Sequence, residues 1–208
     1  MNKQGIIDKT KAIMNEIGKE ESLTLLSEDT VKLSSYIESV IPDAINIIAG
    51  RSETSPFLVN TGSVTSGGSS NMSDGCTIVP IPDDFLRFIA LRLSGWKREV
   101  QMVEPYGGVE YKIQHNSITR SGIEKPSCVF AYNGGSKCIE CFPVGTLSYF
   151  VYVKSMSNIP SSGELDGYSD TLLSAVCYAC AYLVYSIFEM HETAGRMLEI
   201  AFQVIPKS

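Results

Sequence analysis

The chain has 208 residues, 44% of them hydrophobic and 19% charged. That is enough for one domain, or one core with a protruding extension, and too apolar for wholesale disorder. Its net charge of −6, with no Lys/Arg run interleaved with aromatics, disfavours high-affinity nucleic-acid binding but suits a wall along which DNA slides without sticking.

Residues 1–21 alternate charges with isolated isoleucines and lack the continuous apolar stretch of a signal peptide. The expectation is synthesis and retention in the cytoplasm, with the six cysteines (Cys76, Cys128, Cys138, Cys141, Cys177, Cys180) as reduced thiols. Residues 3–17 place Ile6, Ile13 and Ile17 on a helical spacing that ends near Gly18. So thin an apolar stripe needs a partner surface.

Ser27-Glu28-Asp29 has the chemistry of a helix start, a hydroxyl acceptor followed by acids. Val31, Ile37, Val40, Ile41, Ala44, Ile45 and Ile48 then mark one face down to Gly50. Pro42 lacks an N–H and clashes with the preceding turn, so a kink, or two helices meeting at Ile41 and Pro42, is expected. Residues 52–75 are rich in Gly and Ser and read as a flexible loop or arm reaching to a partner.

From Thr77 the period shortens. Arg87, Ile89, Leu91 and Leu93 share one face of a predicted strand, with a short helix over residues 83–90 as the competing reading. Further strands are expected over residues 96–103, 109–114 and 126–132. Asn133-Gly134-Gly135 tolerates positive φ and predicts a hairpin pairing residues 127–132 with 137–142. Residues 147–154 supply one more strand, with Tyr149, Val151 and Val153 facing one way. Helical spacing returns after residue 163, capped at Ser169 or Asp170 and carried by Leu172, Leu173, Val176, Cys180, Leu183, Val184, Ile187 and Phe188. A last amphipathic stretch uses Ala194, Met197, Leu198, Ala201, Phe202 and Ile205.

Two Cys-x-x-Cys pairs, Cys138/Cys141 and Cys177/Cys180, have a spacing that zinc accepts. On a regular strand, however, Cys138 and Cys141 point to opposite faces. Cys177 and Cys180 lie within an uncharged helix, where cysteine acts as a small hydrophobe and not as a redox pair at a helix N-terminus. Residues 171–188 carry no charge and pass a loose transmembrane test, yet contain Ser174, Tyr178, Tyr182, Tyr185 and Ser186 and lack flanking Lys or Arg. A buried or subunit-facing helix is the better reading.

His115 and His191 have no obvious partner in the sequence and no accompanying nucleophile signature. Asp83-Asp84 reads as a turn cap, and Gly67-Gly68-Ser69-Ser70 lacks the Lys of a phosphate loop. Trp96 and Arg98 would share a strand face. Aromatics and arginine dominate interface hot spots, so these two, with Phe57, Tyr106, Tyr182 and Tyr185, are the candidate interface residues.

The order of elements is a helical pair, then Ile81-Pro82-Asp83-Asp84-Phe85-Leu86, Leu93-Ser94-Gly95-Trp96-Lys97-Arg98-Glu99-Val100, Glu110-Tyr111-Lys112, Lys125-Pro126, a hairpin and a long C-terminal helix. Over residues 6–205 it resembles the head-to-tail adaptor, or neck ring, proteins of short-tailed bacteriophages, with the ring proteins of crAss-like gut phages the nearest likeness. The resemblance implies a homo-oligomeric ring, commonly dodecameric, that docks under the portal protein, meets other neck or tail rings and extends the DNA channel. DNA would pass through without specific binding. Helices would pack between neighbouring subunits, and the β-region would face outward or towards the next ring.

The expected fold is α+β: a helical bundle from the N- and C-terminal helices with a central antiparallel β-sandwich or sheet. Residues 1–208 are read as one adaptor domain, comprising N-terminal helices (1–50), a Gly/Ser-rich arm (51–77), a β-region (78–155) and C-terminal helices (165–206). The expected role is structural, in the virion neck, with no catalytic residue, metal, cofactor or membrane. The alternative is a zinc- or thiol-dependent protein using Cys138/Cys141 and Cys177/Cys180.

Overall fold

The computed structural model describes residues 1–18, 30–52, 61–65, 70–71, 75–160, 165 and 167–205. The fold is α+β, and the chain divides into two compact units: Met1–Asn60 with Ser155–Ser208, and Thr61–Lys154. The predicted helix start at Ser27-Glu28-Asp29, Phe57, and most of Gly67-Gly68-Ser69-Ser70 lie outside the described residues.

The first unit is helical: α1 (Lys3–Gly18), α2 (Thr30–Ala49), α4 (Asp170–Ile187) and α5 (His191–Val204). Helix α1 buries Ile6, Ile7, Thr10, Ile13 and Met14, the spacing of one helical face. It docks on α4, where Thr10 Oγ1 donates to the Cys177 carbonyl at 3.4 Å and Tyr185 Oη donates to the Met14 carbonyl at 3.1 Å. Helix α2 runs unbroken through Pro42 and buries Ile37, Val40, Ile41, Ala44, Ile45 and Ile48, so the expected face holds and the two-helix alternative does not.

Helix α4 is long and apolar enough to cross a membrane by length and composition, yet it is packed against α1, α2 and α5. Its buried Ala175, Cys177, Ala179, Cys180 and Ala181 are small side chains that admit close neighbours on several sides. Ser169 caps it as expected, its Oγ accepting from the Leu172 amide at 3.2 Å. At the other end Glu189 takes φ 61°, the left-handed position usually given to glycine. The Met190 and Glu189 amides there donate back to the Tyr185 and Ser186 carbonyls, closing the last turn.

The second unit is a β-sandwich. One sheet has the order β1-β7-β4 (Thr61–Val64, Leu147–Lys154, Phe85–Leu93) and the other β2-β3-β6-β5 (Ser70–Asn71, Thr77–Pro80, Ser136–Phe142, Ser127–Asn133), with antiparallel pairing throughout. Leu91, Leu93, Phe150 and Tyr152 from the first sheet meet Val79, Cys128, Ile139 and Cys141 from the second in one core. The predicted hairpin forms with Gly134 and Gly135 at φ 57° and 86°, and it sets the register Cys128↔Cys141 and Tyr132↔Lys137.

Four expectations change. Within the supposed arm, Thr61–Val64 forms β1 against β7, because Gly62 is a notch: a Cβ there would stand 2.5 Å from Tyr152 Cζ. Residues 96–103 are not a strand, since only a single bridge joins Val100 to Leu91. Residues 109–114 form helix α3 (Val109–Gln114), not a strand. Finally β4 is a strand, as preferred, but register shifts along it break the predicted alternation, so Ala90 and Leu91 are both buried.

Two stability effects follow. Glu189→Gly removes the left-handed penalty of a side-chain-bearing residue and should raise the unfolding free energy by about 0.5–1 kcal/mol, read as a higher urea midpoint. Tyr152 Oη donates to Asp84 at 2.7 Å, and burial followed by that carboxylate pushes its hydroxyl up to about 12. Since the folded value exceeds the usual ~10, the unfolded chain loses this proton first, so stability falls as pH rises from about 10 to 12. Tyr152→Phe should flatten that alkaline loss in urea titrations, leaving a remainder from Tyr111 and Tyr149, whose hydroxyls are also raised.

Candidate interaction surface

Strand β5 is an edge strand, and only its first half is covered. The Glu104 amide donates to the Cys128 carbonyl and the Phe130 amide to the Glu104 carbonyl, both at 2.9 Å, as a parallel bridge. The chain then leaves through Pro105 and a turn at Tyr106-Gly107, where Gly107 has φ 72°. Alternation directs the Tyr132 backbone to the same edge, and among the described residues no backbone bond extends the row to it.

Over that open end stand three tyrosines. Tyr106 meets Tyr132 edge-on at 5.3 Å and Tyr111 at 5.1 Å; Tyr106 and Tyr132 are each 57% exposed. A cavity of about 750 Å³ adjoins them, lined among others by Ile81, Pro82, Phe85 and Phe130. Apolar and aromatic residues supply most of its lining, which also includes Asp83, Ser136 and Lys137.

Tyr111 anchors the cluster to the sheet. It packs on Ile78, Ala131 and Cys138, the face of the second sheet turned away from the sandwich core. The His115 ring packs against Tyr111 with centroids 4.4 Å apart and planes tilted by 45°, and its Nε2 lies 2.9 Å from Glu140 Oε2. Burial, followed by the Glu140 carboxylate, raises the Tyr111 hydroxyl above its ordinary value, and the same two causes raise the Cys138 thiol.

A second cleft, of about 620 Å³, carries Arg98, Glu99, Glu104, Glu110 and Lys125. Hydrogen bonds from Tyr149 and Gln101 hold Glu99 below the usual carboxylate range. Its charges are mixed, three acids with two bases, so it offers neither a cation cage nor an anion cradle.

Of the residues expected at an interface, Tyr106 lies in the cluster and Arg98 is exposed in the second cleft. Trp96 is a correction: it is 2% exposed in the sandwich core, with its indole N–H donating to the Pro143 carbonyl at 2.9 Å. Tyr185 is also a correction, being fully buried against α1, while Tyr182 is half-buried on α4. The two Cys-x-x-Cys pairs fall in different compact units, and Cys138 and Cys141 face opposite sides of β6. Among the described residues no three His, Cys, Asp or Glu side chains group around a metal position.

Three surface features were not foreseen: Tyr132, Tyr111, and the partnership of His115 with Glu140. The hairpin register carried the clue to the first, since it sets Tyr132 one residue before the turn on an edge strand. No protein-family model matches this chain, and no curated protein matches it either.

Glu140→Gln removes one cause of the Tyr111 shift and leaves burial in place. The Tyr111 hydroxyl should therefore ionise at lower pH than in the parent chain, though still above the ordinary value. Tyrosinate absorbance, taken as the difference from Tyr111→Phe, measures it.

Proposed function

We propose that the protein is a structural subunit of a bacteriophage neck, assembling into a ring, dodecameric by resemblance, that joins the portal protein to the tail and lines the DNA channel. The observation that carries this reading is the open end of β5 under Tyr106 and Tyr132. An unpaired strand edge beside exposed aromatics is a liability for a lone protein and an asset for one that is covered by a neighbour. Tyrosine is among the residues that dominate interface energetics, and a head-to-tail contact repeated around an axis closes a ring.

The other supports are the order of elements over residues 6–205 and the charge of −6. A net acidic chain repels phosphate, so a channel wall built from it lets DNA slide. The role requires no bond to be made or broken.

The test is the native mass of the purified full chain, alone and mixed with the cognate portal protein. A ring, formed alone or on the portal, is expected. Tyr106→Ala combined with Tyr132→Ala should leave subunit stability within about 0.5 kcal/mol and weaken assembly at least tenfold. A strictly monomeric chain in both mixtures overturns the reading.

A further inference from the structure

Cys128 and Cys141 are directly opposed across the β5–β6 hairpin. Their Sγ atoms are 3.7 Å apart, in contact, and both residues are fully buried in the sandwich core. The kind of pairing matters. Because the Cys128 carbonyl and the Phe130 amide bond outward to Glu104, the backbone of Cys128 faces away from β6, and the pair is of the non-hydrogen-bonded type. Such pairs bring Cα atoms to ~4.5 Å, at the near end of the ~4.4–6.8 Å span that a disulfide accepts. The other cysteines of this unit do not share that position: Cys138 and Cys76 lie in separate clusters on the opposite face of the sheet.

We propose that Cys128 and Cys141 are a modification site, a latent cross-strand disulfide that closes when the protein meets an oxidising disulfide of the glutathione type. One protein thiolate attacks the small disulfide, releasing one small thiol and leaving a mixed disulfide. The second protein thiolate then displaces the other small thiol. The protein dithiol loses two electrons and two protons, and the small disulfide becomes two thiols.

Burial sets the conditions. It pushes the Cys141 thiol well above its ordinary value, so little thiolate exists in the closed core. The reaction therefore proceeds through opening of the hairpin and runs faster during refolding than in the folded protein. Once formed, the bond links positions that are already neighbours, and it constrains the unfolded chain more than the folded one.

The experiment refolds the full chain in excess oxidised glutathione, blocks remaining thiols by alkylation, and cleaves after Lys137 and Glu140, which separates Cys128, Cys138 and Cys141 onto three peptides. The expected result is an intact mass lower by two hydrogens before alkylation, with the Cys128 and Cys141 peptides joined. The oxidised protein should unfold at a higher urea midpoint, and reductant should reverse the shift. Six alkylated cysteines, or a link through Cys138 or Cys76 in place of Cys141, overturns the proposal. A lower midpoint for the linked protein overturns it too, because the bond would then not fit the native hairpin. All of these readouts use the unmutated chain, so none depends on a variant folding.

Discussion

From Cys138 onward, strand β6 has almost nothing to give to water. Ile139 and Cys141 face the sandwich core, while Cys138 and Phe142 face the other way and are equally buried. A strand that is apolar on both faces needs two coverings, and this single requirement organises the second unit. The β1-β7-β4 sheet covers one face. Helix α3, through Tyr111, covers the other, and the one charged side chain on that face, Glu140, is answered by His115.

The second covering is small, and its size explains the surface. A helix of six residues shields its own patch of sheet but leaves apolar side chains at its start and in the turn after it exposed. Val109 and Ile118 are 77% and 90% exposed, and Tyr106 stands beside them in sequence at the open end of β5. The apolar exposure is thus concentrated on the segment that closes the sheet, where a neighbouring protein surface would extend the same covering.

Much of the architecture was legible because it rests on strong local patterns. The faces of α1 and α2 followed from spacing, the hairpin from Asn133-Gly134-Gly135, and the cap from Ser169. On α4 the expected stripe fails at its end, since Ile187 and Phe188 are 50% and 37% exposed, while Ala175, Cys177, Ala179, Ala181 and Tyr185 are buried outside it. Helix α3 was not legible, because Val109-Glu110-Tyr111-Lys112-Ile113-Gln114 alternates apolar and polar residues as a strand does. The helix wins through tertiary demands: it turns Tyr111 to the sheet and lets Gln114 bond both Glu110 and the Ser121 amide. Gly62 misled in another way. Its sequence setting suggests flexibility, whereas its use is the space taken by the Tyr152 ring, which no local pattern reports. Trp96 looked like an anchor for a partner, but its indole found a carbonyl inside its own unit.

The helical unit is assembled from two stretches of chain with the sandwich inserted between them. Tyr185 and Met14, bonded to each other, lie 171 residues apart in the sequence. During synthesis α1 and α2 emerge ahead of the sandwich with an apolar stripe each, and their packing partner α4 does not yet exist. The sandwich can close on its own residues in the meantime, being continuous from Thr61 to Lys154. The order of packing therefore differs from the order of synthesis: α1 and α2 are made before the sandwich and find their place after it.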